Sequence, residues 1–301
     1  MWRRYLGFAG HRGKRAVPLR EEEEDGRVLD SPYTDLDRPP LSQAALTRAL
    51  VRPGGLWSQL TVVDRTGSTN ADLAQAAREG AREGAVLIAE LQLAGRGRLG
   101  RVWTAPARSG LTFSVLLRPG VPPVRQGWVT LLVALAAASA LRRVAGVDVR
   151  LKWPNDLLIG ERKVAGVLAE RVEGAVVVGM GLNVTVRADE LPVTTATSLS
   201  IEDAECADRD PLIRAVLREI EAHYRDWVAA DGDADAAGLR SAYLAMSATV
   251  GQEVRVELPG ERLLTGVATG VDGSGHLIVH TGGADHALSV GDVVHIRPAS
   301  A

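Results

Sequence analysis

Cysteine is almost missing from this chain of 301 residues. Cys206 stands alone, so no intramolecular disulfide can form, and a reducing compartment, the cytoplasm, is expected. It sits in the acidic run IEDAECADRD, surroundings that do not favour a thiolate, so it is not read as a nucleophile. No apolar run is long enough to span a bilayer: WVTLLVALAAASAL, from Trp128 to Leu141, is interrupted by Thr and Ser and falls short of the roughly 20 residues required. It reads as a buried helix. The basic N-terminus MWRRYLGFAGHRGKR has no apolar core of a secretory signal, so no membrane partner is expected. Excess positive charge is absent too. With 35 Lys and Arg against 37 Asp and Glu, the net charge is −2, which argues against a general nucleic-acid binder. Lysine itself is scarce, occurring only at Lys14, Lys152 and Lys163, while arginine supplies the other basic residues. In such a chain a retained lysine points to a site where a compact charge serves better than a planar fork.

The organisation is that of two globular units behind an extension. Residues 1–40, with REEEEDGRVLDSPYTDLDRPP, carry charge blocks and prolines and almost no apolar periodicity, and are expected to be disordered. A large domain is expected over residues 41–247, beginning with a short helix, LSQAALTRAL, and the strand LTVVD. Ser68, Thr69 or Asn70 then caps an amphipathic helix that ends at Gly80. Strands AVLIAEL and LTFSVLL follow, then a long helix from about Val124 to Val144. Two hairpin-like strand pairs fill Val149 to Val186, and the helices PLIRAVLREIEAHYRDWVAA and ADAAGLRSAYLAM close the domain. Mixed strands and helices without strict alternation predict an α+β fold on a mixed sheet. From residue 248 to 301 the texture changes to short alternating strands separated by DGSG and TGG turns, the pattern of a small β-barrel.

AGRGRLGRVW, residues 94–103, contains G-x-G-x-x-G at Gly95, Gly97 and Gly100. A dinucleotide-binding fingerprint needs a helix opening directly after the glycines, so that its N-terminal amides meet the pyrophosphate. Here RVWTAPARSG follows, with Pro106 and Gly110 and no helical periodicity. The intervening arginines also stand where a backbone should approach its ligand. The segment is instead a flexible loop with three guanidiniums and a Trp, suited to an anion that carries an aromatic base.

Polar residues interrupt apolar runs in further places. STN puts two hydroxyls and an amide at a helix start. KWPND, Lys152 to Asp156, gathers a cation, an indole, a rigid turn and two oxygen acceptors. ERKVAGVLAE opens a strand with Lys163 and leaves Gly166 bare. VVVGMGLNV ends a buried strand on Gly179, Gly181 and Asn183. Taken singly, each has a plain structural reading: a helix cap, a turn, a bulge, a strand end. The six histidines form no convincing metal set, since the i,i+4 pair of HLIVH falls on a strand.

Together, GSTN at 67–70, AELQLAGRGRLGRVW at 89–103, KWPNDLL at 152–158, RKVAGVLAE at 162–170 and GMGLNV at 179–184 resemble the biotin protein ligases, in that family's order and spacing, across about residues 57 to 298. The resemblance implies a mixed-sheet catalytic domain related to lipoate ligases and class II synthetases, followed by an SH3-like barrel. It implies formation of biotinyl-5′-AMP from biotin and ATP, and transfer of biotin to a lysine of a biotin carboxyl carrier domain, such as that of acetyl-CoA carboxylase.

Carried onto this chain, Ser68, Thr69 and Gln92 would serve the ureido ring, and Asn70 the turn or the acyl end. Lys163 would face the biotin carboxylate, neutralising charge as it attacks the α-phosphate. Arg96, Arg98 and Arg101 match anion-cradle positions, with Gly97 beside the biotin. Trp103 would offer a face to adenine, Lys152 would meet the triphosphate, and Asn183 the nucleotide side. Asn155 and Asp156 would hold Mg²⁺ or orient the incoming amine. Lys163, Arg98 and Asp156 are thus the expected catalytic residues. Two features depart from the pattern. Leu99 replaces a further loop arginine common among members, and residues 1–40 are too short and too charged to form the winged helix-turn-helix of the repressor members. The expectation is a ligase without a repressor function. A lipoate–protein ligase is the nearest rival, and a nucleic-acid-binding module built on the arginine loop and the barrel is the rival from another class.

Overall fold

The alternation of AVVVGMGLN shows how this chain layers itself. On the strand β9 (Ala175–Asn183), Val176, Val178, Met180 and Leu182 enter the main core, while Val177 enters a second, smaller one. The strand β5 (Gly110–Leu117) beside it does the same, with Leu111, Phe113, Val115 and Leu117 on the first face and Leu116 on the second. A period of two on a sheet buried on both faces requires this division. The computed structural model describes residues 38–258, 262–289 and 291–295. All but the last three residues of the expected N-terminal extension lie outside the described residues.

The remaining catalytic-domain strands are β1 (Gln59–Val63), β2 (Ala85–Ala89), the two-residue β3 (Gly95–Arg96) and β4 (Val102–Trp103), β6 (Val149–Lys152), β7 (Asp156–Ile159) and β8 (Arg162–Val172). The main sheet has seven strands in the order β1-β2-β5-β9-β8-β7-β6, while β3 and β4 form a separate ribbon. β1 and β2 run parallel and the other neighbours antiparallel, so the sheet is mixed and the fold α+β.

Helices α1 (Gln43–Leu50), α3 (Trp128–Ala145), α4 (Arg209–Ala229) and α5 (Leu239–Met246) bury their apolar sides in the main core. The 3₁₀ turn before α3 and α3 together, Pro123–Ala145, are long and apolar enough by composition to cross a membrane, a length the interrupted run Trp128 to Leu141 did not suggest, yet most of this segment is buried against α4 and the sheet. The start of α3 differs from expectation: Pro123–Gly127 form a 3₁₀ turn, and the α-helix begins at Trp128. α5 is likewise shorter than expected, because Gly238 takes a left-handed conformation at its N-cap and stops the helix at Leu239. Among the described helices α2 (Thr69–Arg78) alone covers the opposite face, packing Leu73, Ala74, Ala76 and Ala77 on Leu87, Leu116 and Val177. It covers only part of that face.

Arg38 and Pro39, on the near side of the boundary expected at residue 40, are already strapped to the domain. Arg38 donates to Glu190 at 3.1 and 2.6 Å and to the Thr185 carbonyl at 2.7 Å. The Pro39 carbonyl accepts from Arg209, which is paired with Glu90 in the interior.

The C-terminal sheet, β10 (Glu253–Leu258), β11 (Arg262–Val271), β12 (Leu277–Thr281), β13 (Ala284–Leu288) and β14 (Asp292–His295), is antiparallel in the order β13-β12-β11-β10-β14, as expected of an SH3-like unit. It is seamed to the large domain by two indoles. Trp128 donates to the Asp272 carbonyl at 3.1 Å and Trp153 to the Gly275 carbonyl at 3.0 Å, both in the β11–β12 turn.

Candidate active site

Where α2 stops covering the sheet, the exposed face carries glycines instead of valines. Gly179, Gly181 and Asn183 alternate along β9, continuing the face that Val177 begins, and Gly166 of β8 pairs with Gly181. The bareness is required. A Cβ on Gly181 would collide with the Trp103 indole, and one on Gly179 with the Asn70 amide. The result is a cavity of about 440 Å³, within the usual range for a small-molecule site.

One wall is the start of α2. Ser68 stands at the N-cap position, but its hydroxyl makes no capping bond. Gln92 Oε1 instead accepts from the Thr69 backbone N–H at 2.8 Å and lies 3.0 Å from the Thr69 hydroxyl. Ser114, which the sequence did not single out, brings its hydroxyl to 2.7 Å from Thr69 Oγ1 and 2.6 Å from Asn70 Oδ1. Asn70 in turn donates to the Leu168 carbonyl at 3.1 Å and to Glu170 at 2.8 Å. Thr69 and Asn70 are therefore largely engaged in fixing α2 to the sheet, whereas Ser68 is spared from capping.

The arginine loop forms the roof. No helix follows it, as the sequence indicated. β3 and β4 pair, Gly97 N–H bonds to the Arg101 carbonyl at 2.7 Å, and residues 98–100 make a 3₁₀ turn with Leu99 and Gly100 at positive φ. Arg98 reaches Asn155 Oδ1 at 3.3 Å. Burial pulls the Arg98 pKa down, because a guanidinium is less well solvated there, and the nearby Asp292 and Asp156 push it back up. Trp103 Nε1 is buried without a hydrogen-bond partner, a donor aimed at nothing among the described residues.

The far wall is the KWPND turn with β7 and β8. Between Leu157/Ala165 and Leu158/Lys163 the register slips by one, leaving Val164 as an extra residue. Lys163 and Gly166, three apart, would point oppositely in a regular strand. The bulge puts them on one face, so the lysine lies over the bare glycine, where a Cβ would come within 3.1 Å of Nζ. There Lys163 Nζ stands 2.6 Å from Asp156 Oδ1 and 5.9 Å from the Trp103 ring centroid. The ion pair lacks hydrogen-bond alignment, so Asp156 Oδ1 keeps no hydrogen-bond partner among the described residues.

Ser68, Thr69, Asn70, Gln92, Arg96, Gly97, Arg98, Arg101, Trp103, Asn155, Asp156, Lys163 and Asn183 all line this cavity. Lys152 does not. The chain turns after it, bringing Asn155 and Asp156 to the cavity while the Lys152 charge acts on His295 of β14, whose pKa is lowered first by burial and then by that charge. Asp292, which no motif in the sequence marks, lines the cavity from the C-terminal sheet. No group of three or more His, Cys, Asp or Glu suited to a metal occurs among the described residues. Asp156 offers one carboxylate, which fits a Mg²⁺ held mainly by phosphate oxygens and water rather than by a protein cage.

Residues 62–186 match the biotin/lipoate A/B protein ligase family and residues 249–296 the biotin protein ligase C-terminal domain. The chain is 43% identical over 271 residues to a biotin–[acetyl-CoA-carboxylase] ligase of Mycobacterium tuberculosis, covering 88% of this chain and all of that one. A ligase of the same name from Paracoccus denitrificans is 32% identical, over 71% of this chain and 91% of its own. A biotin protein ligase from Aquifex aeolicus, solved with biotin and ATP, superposes with a TM-score of 0.67 at 28% identity, covering 80% of this chain and 100% of that chain. The chain belongs to the biotin protein ligase family.

Proposed function

We propose that this chain activates biotin with ATP and passes the biotinyl group to a lysine of a biotin carboxyl carrier domain, that of acetyl-CoA carboxylase being the leading candidate. The observation that carries the reading is Lys163, held by a bulge over a glycine floor, beneath a roof of arginines and beside a buried indole donor without an acceptor among the described residues. The biotin carboxylate exchanges with Asp156 as partner of the ammonium. A carboxylate oxygen then forms a bond to the α-phosphorus of ATP as the bond to the pyrophosphate oxygen breaks. Lys163 lowers the repulsion between the two anions during approach and polarises the acyl carbonyl afterwards.

Arg98 screens the phosphate charge, and Trp103 presents its face to adenine and its N–H to a nucleotide acceptor. Ser68 and Gln92 serve the ureido ring, with Thr69 and Asn70 holding the wall that places them. Asn183 faces the nucleotide side. Mg²⁺, bound through Asp156 and Asn155 with the phosphates, would supply charge neutralisation of the leaving pyrophosphate. In the second half, the acceptor amine forms a bond to the acyl carbon and gives up a proton to solvent, and AMP leaves with the electron pair of the broken acyl C–O bond. Asp156 is placed to orient that amine.

The test mixes the purified chain with ATP, biotin and an unmodified carrier domain. Pyrophosphate release that depends on biotin, and a carrier shifted by streptavidin, are expected. Activation of lipoate in place of biotin would overturn the reading.

A further inference from the structure

Ser114 is a polar residue where the pattern of β5 calls for an apolar one. It shares a face with Leu116, which enters the second core beside Val177, and it is wholly buried. Its neighbour across the strand pair is Gly179. A Cβ there would stand 3.1 Å from the Ser114 hydroxyl and would strike the Asn70 amide, so the bare glycine makes room for polar groups of the protein itself. A hydroxyl this buried must be hydrogen-bonded, and Ser114 lies between Thr69 Oγ1 at 2.7 Å and Asn70 Oδ1 at 2.6 Å. Ser114 does not itself line the cavity.

The protons of this cluster have one consistent arrangement. The Thr69 backbone N–H can only donate, so the Gln92 atom facing it at 2.8 Å is the oxygen. At the other end, the Leu168 carbonyl and the Glu170 carboxylate can only accept, so Asn70 turns Nδ2 to both and Oδ1 to Ser114. Oδ1 then takes the single proton that Ser114 has. The short contact between Ser114 and Thr69 must therefore be supplied by the Thr69 proton, since the Gln92 oxygen, 3.0 Å from that hydroxyl, already has the backbone N–H. Thr69 is left with lone pairs and no proton for a ligand. Gln92, its oxygen held, is left with the two protons of Nε2.

We infer that Ser114 is a positioning residue for the acid substrate: through Asn70 and Thr69 it fixes the direction of this chain of hydrogen bonds, and so sets an acceptor at Thr69 beside donors at Gln92 on the wall that meets the substrate's ring. That pattern complements a cyclic urea, which carries a carbonyl next to N–H groups. A dithiolane ring offers neither, and a site built to hydrogen-bond its substrate rejects an analogue that cannot answer. The inference rests on the ligase reading and deepens it.

Ser114→Ala removes the central proton and leaves Asn70 Oδ1 without a donor. The KM for biotin in pyrophosphate release should rise about tenfold, the scale of one buried hydrogen bond, with kcat and the KM for ATP within about twofold of the parent. Ser114→Cys, whose thiol donates weakly, should fall between the two. Ser198→Ala is the control. It removes a hydroxyl just as buried, bonded to the Val186 carbonyl at 2.7 Å and outside this chain of bonds, and should leave the biotin KM as in the parent. Melting temperatures without substrates test the chain of bonds itself. Ser114 and Gln92 are joined through Thr69, so Ser114→Ala and Gln92→Ala should combine to less than the sum of their separate losses, while Ser198→Ala and Gln92→Ala should add. A parent-like biotin KM in Ser114→Ala, an equal rise for ATP, or strict additivity with Gln92→Ala would overturn the role of Ser114. A parent without biotin-dependent pyrophosphate release would overturn the ligase reading, and the melting result would still decide the chain of bonds.

Discussion

Lys163 and Asp156 meet at 2.6 Å in an ion pair that is not aligned as a hydrogen bond. The lysine is held by position more than by its partner, since the bulge and the bare Gly166 set its direction. A carboxylate ligand can thus displace Asp156 without breaking a well-formed bond.

The corresponding prediction is for Lys163→Arg. The chain otherwise prefers arginine, so a merely exposed lysine here should tolerate the change. Over Gly166 the space is tight, and a planar guanidinium would push the carboxylate off the in-line path; a displacement near 1 Å can reduce a rate about a hundredfold. The variant should melt like the parent and release biotin-dependent pyrophosphate at least ~10-fold more slowly, a loss of about 1.4 kcal/mol in transition-state stabilisation. Lys163→Ala should be slower still. Parent-like rates would remove the charge-neutralising role.

Arg98→Gly should separate forming the adenylate from keeping it. Arg98 reaches inward to Asn155, and removing it leaves the ion pairs of Arg96 with Glu170 and of Arg101 with Asp292 in place. Free biotinyl-AMP should accumulate and biotinylate bystander lysines, read by streptavidin blot against added serum albumin. A variant that stays selective for the carrier while losing adenylation would assign Arg98 to the first chemical step instead.

Gly181→Ala tests the glycine floor. The new methyl collides with the Trp103 indole, and overpacking of this kind costs about 1–3 kcal/mol when neighbours must shift. Trp103 should be displaced toward solvent. Its emission should move to longer wavelength, and the KM for ATP should rise by about tenfold or more with a smaller change for biotin. Equal effects on both substrates would place Trp103 away from the nucleotide.

The strap at the N-terminal edge should respond to acid. Hydrogen bonding from Arg38 holds the Glu190 carboxyl down at about 2, well below its ordinary 4.5. A depressed carboxylate stabilises the fold fully above its unfolded pKa, and that contribution disappears as pH falls from about 4.5 toward about 2. Melting temperature followed through that window should fall more steeply in the parent than in Glu190→Gln. Arg38→Ala should remove the same part of the slope. Identical slopes in all three would mean the strap adds nothing to stability.

The sequence displays the floor of the site well and its roof only in part. VVVGMGLNV is legible because the period of two changes from valine to glycine within one strand, and only a close approach explains that change. Lys163 was visible through scarcity in an arginine-rich chain. Its direction was not, because a bulge depends on which strand pairs with which. Lys152 stands outside the cavity for a related reason: KWPND reads as one polar cluster, yet the turn within it sends its two ends to different surroundings. Asp292 could not be foreseen, since its partner Arg101 lies in another domain. The start of α3 was misplaced because the run up to Gly127 satisfies helix composition while folding as a 3₁₀ turn. Residues 1–37, read as a disordered extension, lie outside the described residues.

The seam between the domains has a further meaning for how the molecule comes apart. Two indole N–H groups, from Trp128 and Trp153, end on carbonyls of one turn in the C-terminal sheet, and both side chains are almost wholly enclosed. Parting the domains would strand two donors in apolar surroundings and wet two of the largest side chains in the core at once. Neither piece would be a finished protein. The chain is therefore expected to melt in one calorimetric step, with both tryptophans as built-in optical reporters of it, and the small sheet behaves as a keystone of the ligase rather than as an appendage.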